Sequence, residues 1–266
     1  MPLTLPTHPI AVVPLKLWRP RWFDGVALTI GAIAPDLAYA TYGFVETVRT
    51  HNMLALVWWS LPVTVVAVRL VRWAAPVIAV HLPGRGPLRL RDYGVLGLVR
   101  HPWYVTAFSA LLGSFSHLAW DFFTHPGYFP PLRLEAWPGT PWWSLLCEAS
   151  DLAGFAAGTL LVIHIGQNGL LRRWHGQPPR TSPQPGTFWS AVAVALGTGL
   201  ALVAAYPVGW VAGQAIRILL ITGLALLCGA AMATLASRRP TQGLNVLSRP
   251  SDPNSAPPGA GMTPGG

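Results

Sequence analysis

Apolar runs of membrane length, separated by short basic stretches, organise most of this chain. Gly25 to Val45 carries one charge, Asp36, and Met53 to Val68 carries none. From His101 to Phe123 the only charged residue is Asp121, and Leu152 to Leu171 has none. Gly186 to Ile216 is uncharged, with Pro207 and Gly209 marking a break after a helix ending near Tyr206, and Ile218 to Ser237 follows. A helix needs about 20 mainly apolar residues to cross a bilayer. The pattern therefore predicts an all-α, polytopic transmembrane helical bundle of about six spans. A shorter apolar stretch running from His8 to Trp18 predicts an additional N-terminal half-helix.

The basic residues give an independent reading, because cytoplasmic loops retain Lys and Arg. Placing Lys16, Arg19 and Arg21, the Arg69 to Arg100 region, Arg172, Arg173 and Arg180, and the tail from Arg238 on the cytoplasmic side leaves only Arg49, Arg133 and Arg217 outside. Arg69 and Arg72 are expected to snorkel from the end of the second span. The expected location is a bacterial inner membrane, with the C-terminus cytoplasmic. A composition that is 52% hydrophobic and 10% charged excludes an ordinary soluble domain. The net charge of +9 does not point to nucleic acid, since the Arg residues flank spans and form no basic stripe. Anionic lipid headgroups are the expected partner. Cys147 and Cys228 show no sign of pairing, and no cleavable signal is visible before Pro14. The expected organisation is a membrane domain at 1–176, two further transmembrane helices at 177–238, and a disordered Pro- and Gly-rich tail at 239–266.

Ionisable residues at membrane depth cost about 2.5 kcal/mol or more and face protein or a watery cavity. His117, Asp121 and His125 stand at i, i+4 and i+8 on one helical face. His117 and Asp121 can share a metal as i, i+4 ligands, while His125 lies about 12 Å further along the axis than His117. Pro126-Gly127 ends the helix, letting the His125 ring swing back over the site or bind a second ion. The predicted topology brings Asp36, after Pro35, to matching depth, sets His51 to close the site from above, and carries His8 near the others. Two carboxylates and several imidazoles without a thiolate suit Zn²⁺ or another divalent transition metal. Elsewhere, His164 is expected to pack between helices, His81, His101 and His175 to be solvated in basic loops, and Trp120 to pack behind the site.

The segments Pro6-Thr7-His8, Gly31 to Asp36, Thr50-His51 and Gly113 to His125 resemble the bacterial domain-of-unknown-function family 4184, over about residues 1–176. More distantly, the His, Pro-Asp, Thr-His and His-x-x-x-Asp series is similar to the inner-membrane metal-dependent hydrolase family and to zinc phospholipase C. This resemblance implies metal ligation by His51, His117 and Asp121, with Asp36 and His8 completing the site. Leu37-Ala38 stands where the hydrolase family usually has a second acidic residue.

The expected function is metal-dependent hydrolysis of a membrane-associated phosphoester, the site facing outward. Asp36, His51, His117 and Asp121 would hold the metal, and His125 or His8 would bind a second ion or act as general acid. Two other classes use the same residues differently. A transporter or channel component would bind ions or protons there, and a non-catalytic structural protein would use them only to lock helices together.

Overall fold

The structure, a computed structural model, describes residues 7–44, 48–125 and 130–238. The predicted tail at 239–266 and the Pro126-Gly127 turn lie outside the described residues. The α-helices among them are α1 (Thr7–Trp18), α2 (Gly25–Gly31), α3 (Leu61–Val80), α4 (Trp103–Thr124), α5 (Trp142–Gln167), α6 (Leu170–His175), α7 (Pro185–Ala205) and α8 (Val211–Ser237). Tight 3-10 turns cover Asp36–Thr41, Leu90–Leu98 and Pro130–Arg133, and a π-turn over Leu56–Ser60 leads into α3. A small hairpin pairs β1 (Glu135–Trp137) with β2 (Thr140–Pro141).

Four of the described helices are long and apolar enough to cross a membrane: Leu56–Val80, α5, α7 and α8. These suggest a membrane location, but the count of six is not confirmed. The expected first span, Gly25 to Val45, is not continuous. Asp24 caps α2, its carboxylate accepting from Ala27 N, and after seven residues the chain unwinds toward Pro35, which lacks an N–H. α4 has the length to cross, but Thr106, Ser109, Ser114, His117 and Asp121 are buried along one side of it and lower its hydropathy. α5 begins ten residues before the expected Leu152 and α8 seven before Ile218, while α7 matches the expected helix and ends before Tyr206 as the following Pro207 requires.

α4 is the central helix, packed by α1, α2, α3 and α5. Its contact with α2 depends on glycine. A Cβ on Gly113 would lie 2.4 Å from Leu28 O and 2.8 Å from Ala32 N, and one on Gly31 would lie 2.4 Å from Ala110 O. Backbones this close are a feature of small-residue membrane helix pairs. Gly154 on α5 likewise admits α1, since a Cβ there would lie 2.6 Å from Thr7 Cα. The α7–α8 hairpin packs through α8 on α3 and on the Asp36–Thr41 turn.

At the end of α4 near Trp103, Asp24 is buried and accepts from Arg72 Nη2 at 2.6 Å and Thr106 Oγ1 at 2.8 Å, while its own N–H donates to Ser109 Oγ at 2.9 Å. Arg72 therefore pairs inside the bundle and does not snorkel, because α3 continues to Val80. Arg172 similarly bonds Asp92 Oδ1 through Nε at 2.7 Å. His81 is not a free loop residue. Its ring bonds Val77 O and Gln184 N and stacks on Phe188 at 4.1 Å, joining α3 to α7. His164, expected to pack, is exposed on α5. His175 is half-buried, and burial followed by the nearby Lys16 charge pushes its pKa down to about 4.

Gly113→Val should lower stability by about 1–3 kcal/mol or more, because a side chain must displace backbone; the Tm in detergent reports this. Gly197→Ala, where nothing lies within 4 Å, should leave the Tm unchanged or raise it. For His175, the unfolded ring protonates near 6.5 and the folded one near 4. Its contribution is present above pH 6.5 and is lost as pH falls from there toward 4. An NMR titration of the ring should give the low midpoint.

Candidate metal centre

The break after α2 shapes this region. Gly31 O and Ala34 O keep only long, 3.3 Å backbone bonds from Ala34 N and Leu37 N, and side chains from other elements add donors along this stretch. Ser114 Oγ donates to Gly31 O at 2.9 Å, His117 Nδ1 to Ala32 O at 2.8 Å, Trp59 Nε1 to Ala34 O at 2.9 Å and Thr50 Oγ1 to Pro35 O at 2.7 Å. Unwound backbone in an apolar surrounding is stable only when it is paired in this way. Two of the four donors, His117 and Thr50, also orient the cluster.

The six residues singled out from the sequence come together here. His117 Nε2 lies 3.2 Å from His51 Nε2, 3.4 Å from Asp36 Oδ1 and 3.2 Å from Asp121 Oδ2. His51 Nε2 lies 3.1 Å from Asp36 Oδ1 and 3.6 Å from Asp121 Oδ2. The other oxygen of Asp121, Oδ1, is 3.5 Å from His8 Nε2 and 3.2 Å from His125 Nδ1. His8 is almost fully buried and stacks on His117 with ring centroids 3.8 Å apart. Neither of its ring nitrogens has a hydrogen-bond partner among the described residues. His51 and His125 have the most exposed side chains of the six, at 18% and 14%, so the cluster opens on their side.

Hydrogen bonding assigns the central imidazole of His117. His117 Nδ1 must carry a proton to bond Ala32 O, so neutral His117 presents a lone pair at Nε2. Thr50 has already given its hydrogen to Pro35 O and can only accept from His51 Nδ1, 3.3 Å away. With its proton on Nδ1 and shared with Thr50, His51 presents a lone pair at Nε2; the Tyr39 hydroxyl, 3.2 Å from the same Nδ1, can donate to the other tautomer. Two such nitrogens and two carboxylate oxygens converge, and a cation or added protons must balance them. The donor set fits a metal. The five separations above run from 3.1 to 3.6 Å, short enough for neighbouring ligand atoms to share one ion. Both His8, Asp36 and His117, and His51, His117 and Asp121, present ligand atoms within 4.8 Å of one another and could hold a metal ion.

Several placements differ from the expectation. His51 belongs to the irregular segment before Leu56 and not to the second helix, and it lies on the side where the cluster is most exposed. Asp36 begins a 3-10 turn and is not inside a span. His125 adopts extended backbone, as the residue before a proline favours, and its ring returns to Asp121. Trp120 donates to Ser150 Oγ at 2.8 Å, and Ser150 O accepts from Thr7 Oγ1 at 2.9 Å, so it fixes α5 and the start of α1 beside His8.

Two residues have no counterpart in the sequence reading. Tyr39 stacks on His51 at 5.2 Å, with its hydroxyl 3.2 Å from Nδ1. Arg217, expected in an outer loop, is buried in α8 and donates to Ala40 O at 3.1 Å, Tyr206 O at 2.5 Å and Tyr42 O. The available signal was a lone Arg between two long apolar runs, which is costly unless paired.

A helical bundle with membrane-length helices and a buried His/Asp cluster is the class these features define. The chain belongs to the family described as a domain of unknown function, DUF4184, whose model matches residues 1–236. The match takes in α7 and most of α8, beyond the boundary near residue 176 expected from the motifs. No curated protein and no solved structure matches the chain.

Arg217→Met should free three carbonyls and lower stability by about 2 kcal/mol or more. Amide hydrogen exchange should rise across residues 36–44, ahead of the rest of the bundle.

Proposed function

We propose that this protein is a metal-dependent hydrolase of the bacterial inner membrane, acting on a phosphoester carried by a membrane-associated substrate. The observation that carries the reading is the convergence of His51 Nε2 and His117 Nε2 with Asp36 Oδ1 and Asp121 Oδ2. The similarity of the Pro-Asp, Thr-His and His-x-x-x-Asp series to metal-dependent hydrolases agrees with it, as does the excess of basic residues on the side away from the cluster. A divalent cation in this set supplies Lewis acidity toward a phosphoryl oxygen and lowers the pKa of water.

The chain's own groups divide the remaining work. Asp36, His51, His117 and Asp121 hold the metal. Ala32 O fixes the tautomer of His117, and Thr50 Oγ1 and the Tyr39 hydroxyl hold the His51 ring through Nδ1, the usual role of outer partners at such sites. His125, with Nδ1 3.2 Å from both Thr124 Oγ1 and Asp121 Oδ1, keeps Nε2 on the more exposed side, where it would take the proton released by the attacking water and return it to the leaving oxygen. His8, buried and stacked on His117, packs the rear and offers Asp121 Oδ1 a second partner or a site for a second ion. Ion transport is less well supported, since the carbonyls of Gly31, Ala32, Ala34 and Pro35 are engaged by side chains and not left to a permeating ion.

Elemental analysis of the full chain purified in mild detergent should find bound zinc or another transition metal. That metal should be lost in His117→Ala plus Asp121→Ala with helical content retained. A folded protein without metal, regaining none when zinc is supplied, would refute the reading. With metal restored, release of phosphate-bearing product from phospholipid vesicles should fall by about 10²–10⁴-fold in His125→Gln, while metal content stays unchanged.

A further inference from the structure

A second polar region lies at the opposite end of the bundle. A cavity of about 750 Å³ opens between the α1–α2 connection, the segment leading into α4, and the end of α6. His117 stands about 21 Å along α4 from Trp103, which places this cavity far from the His/Asp cluster. Its lining includes Arg19, Arg21, Arg100 and Arg173, and no acidic side chain. Among the described residues none of these four forms an ion pair; the arginine pairs are Arg72 with Asp24 and Arg172 with Asp92.

Four guanidinium groups around one cavity repel one another, and the field favours an anion. Guanidinium forks match phosphate oxygens in shape as well as charge. His101 Nε2, also in the lining, is buried without a hydrogen-bond partner among the described residues, a free polar atom at the site. The rim indicates where the anion comes from. Trp18 and Trp22 are 68% and 70% exposed, and the Arg19 guanidinium lies 4.9 and 5.8 Å from their ring centres. Exposed Trp beside Arg is the arrangement of the headgroup layer. The volume falls in the range of ligand cavities and is larger than a lone inorganic ion requires.

We propose that this cavity binds the phosphate headgroup of an anionic phospholipid, anchoring the basic end of the bundle in the membrane. The proposal is independent of metal binding and hydrolysis at the other end.

Native mass spectrometry of the full chain, with phosphatidylglycerol or phosphatidylcholine added to the detergent micelle, tests it. Phosphatidylglycerol should be retained about tenfold more than phosphatidylcholine, the low end for several arginines acting at a headgroup. Arg100→Gln plus Arg173→Gln should abolish that preference without altering helical content. Arg19→Gln and Arg173→Gln, each alone and on different segments, should each reduce it and serve if the double variant does not fold. Equal retention of the two lipids, or a preference unchanged in the folded variants, would overturn the proposal. So would displacement of phosphatidylglycerol by millimolar inorganic phosphate, which would assign the cavity to a soluble phosphate.

Discussion

The break between α2 and the Asp36–Thr41 turn is the constraint on which the rest of the site depends. Carbonyls that keep only a long backbone bond there, or none, take a side-chain donor, because water is scarce inside the bundle. Ser114, His117, Trp59 and Thr50 supply those donors from α4, the π-turn before α3 and the loop preceding it. Three elements distant in sequence are thereby drawn to one short stretch of backbone. Asp36, next after Pro35, is delivered with them, and His51 follows Thr50. Repairing the backbone and assembling the cluster are one event, with His117 taking part in both through its two nitrogens.

Close helix approach makes this possible. Gly31 and Gly113 let the backbones of α2 and α4 touch, so the His117 ring can reach Ala32 O with Nδ1 while Nε2 faces the carboxylates. Gly154 does the same for α1, bringing His8 against His117. Around them, Arg217 holds the far side of the turn by the carbonyls of Ala40 and Tyr42 and ties it to Tyr206 O after α7. Polar chemistry is gathered at the two ends of α4: Asp24, Arg72, Thr106 and Ser109 near its start, and the His/Asp cluster near its end. Both ends are enclosed by helices whose outward faces carry exposed Leu, Val, Phe and Trp, as lipid-facing surfaces do.

Much of the cluster was legible in the sequence. Charge is rare in long apolar runs, so Asp36, His117 and Asp121 stand out by cost alone, and i, i+4 spacing puts the latter two on one face whatever the tertiary structure. The return of His125 follows from the proline after it. His51 and His8 depended on topology and on motif resemblance. Arg217 was misplaced because charge bias treats an Arg as a loop marker and cannot recognise one whose partners are carbonyls 175 and 177 residues away. Helix ends such as the start of α5 were missed because Glu148 and Asp151 resemble a boundary, whereas a helix tolerates them where it meets the headgroup layer.

Hydropathy and periodicity, taken alone, determined that this chain is helical, apolar enough for a membrane, and carries its ionisable groups on one face of α4. These are local properties, since bilayer thickness and the 3.6-residue turn impose them on any chain of this composition. Which apolar runs are continuous, which lone pairs point inward and which carbonyls need donors were decided only by tertiary structure. Those depend on distances between segments far apart in the chain, and on glycines whose value is the backbone they admit from elsewhere.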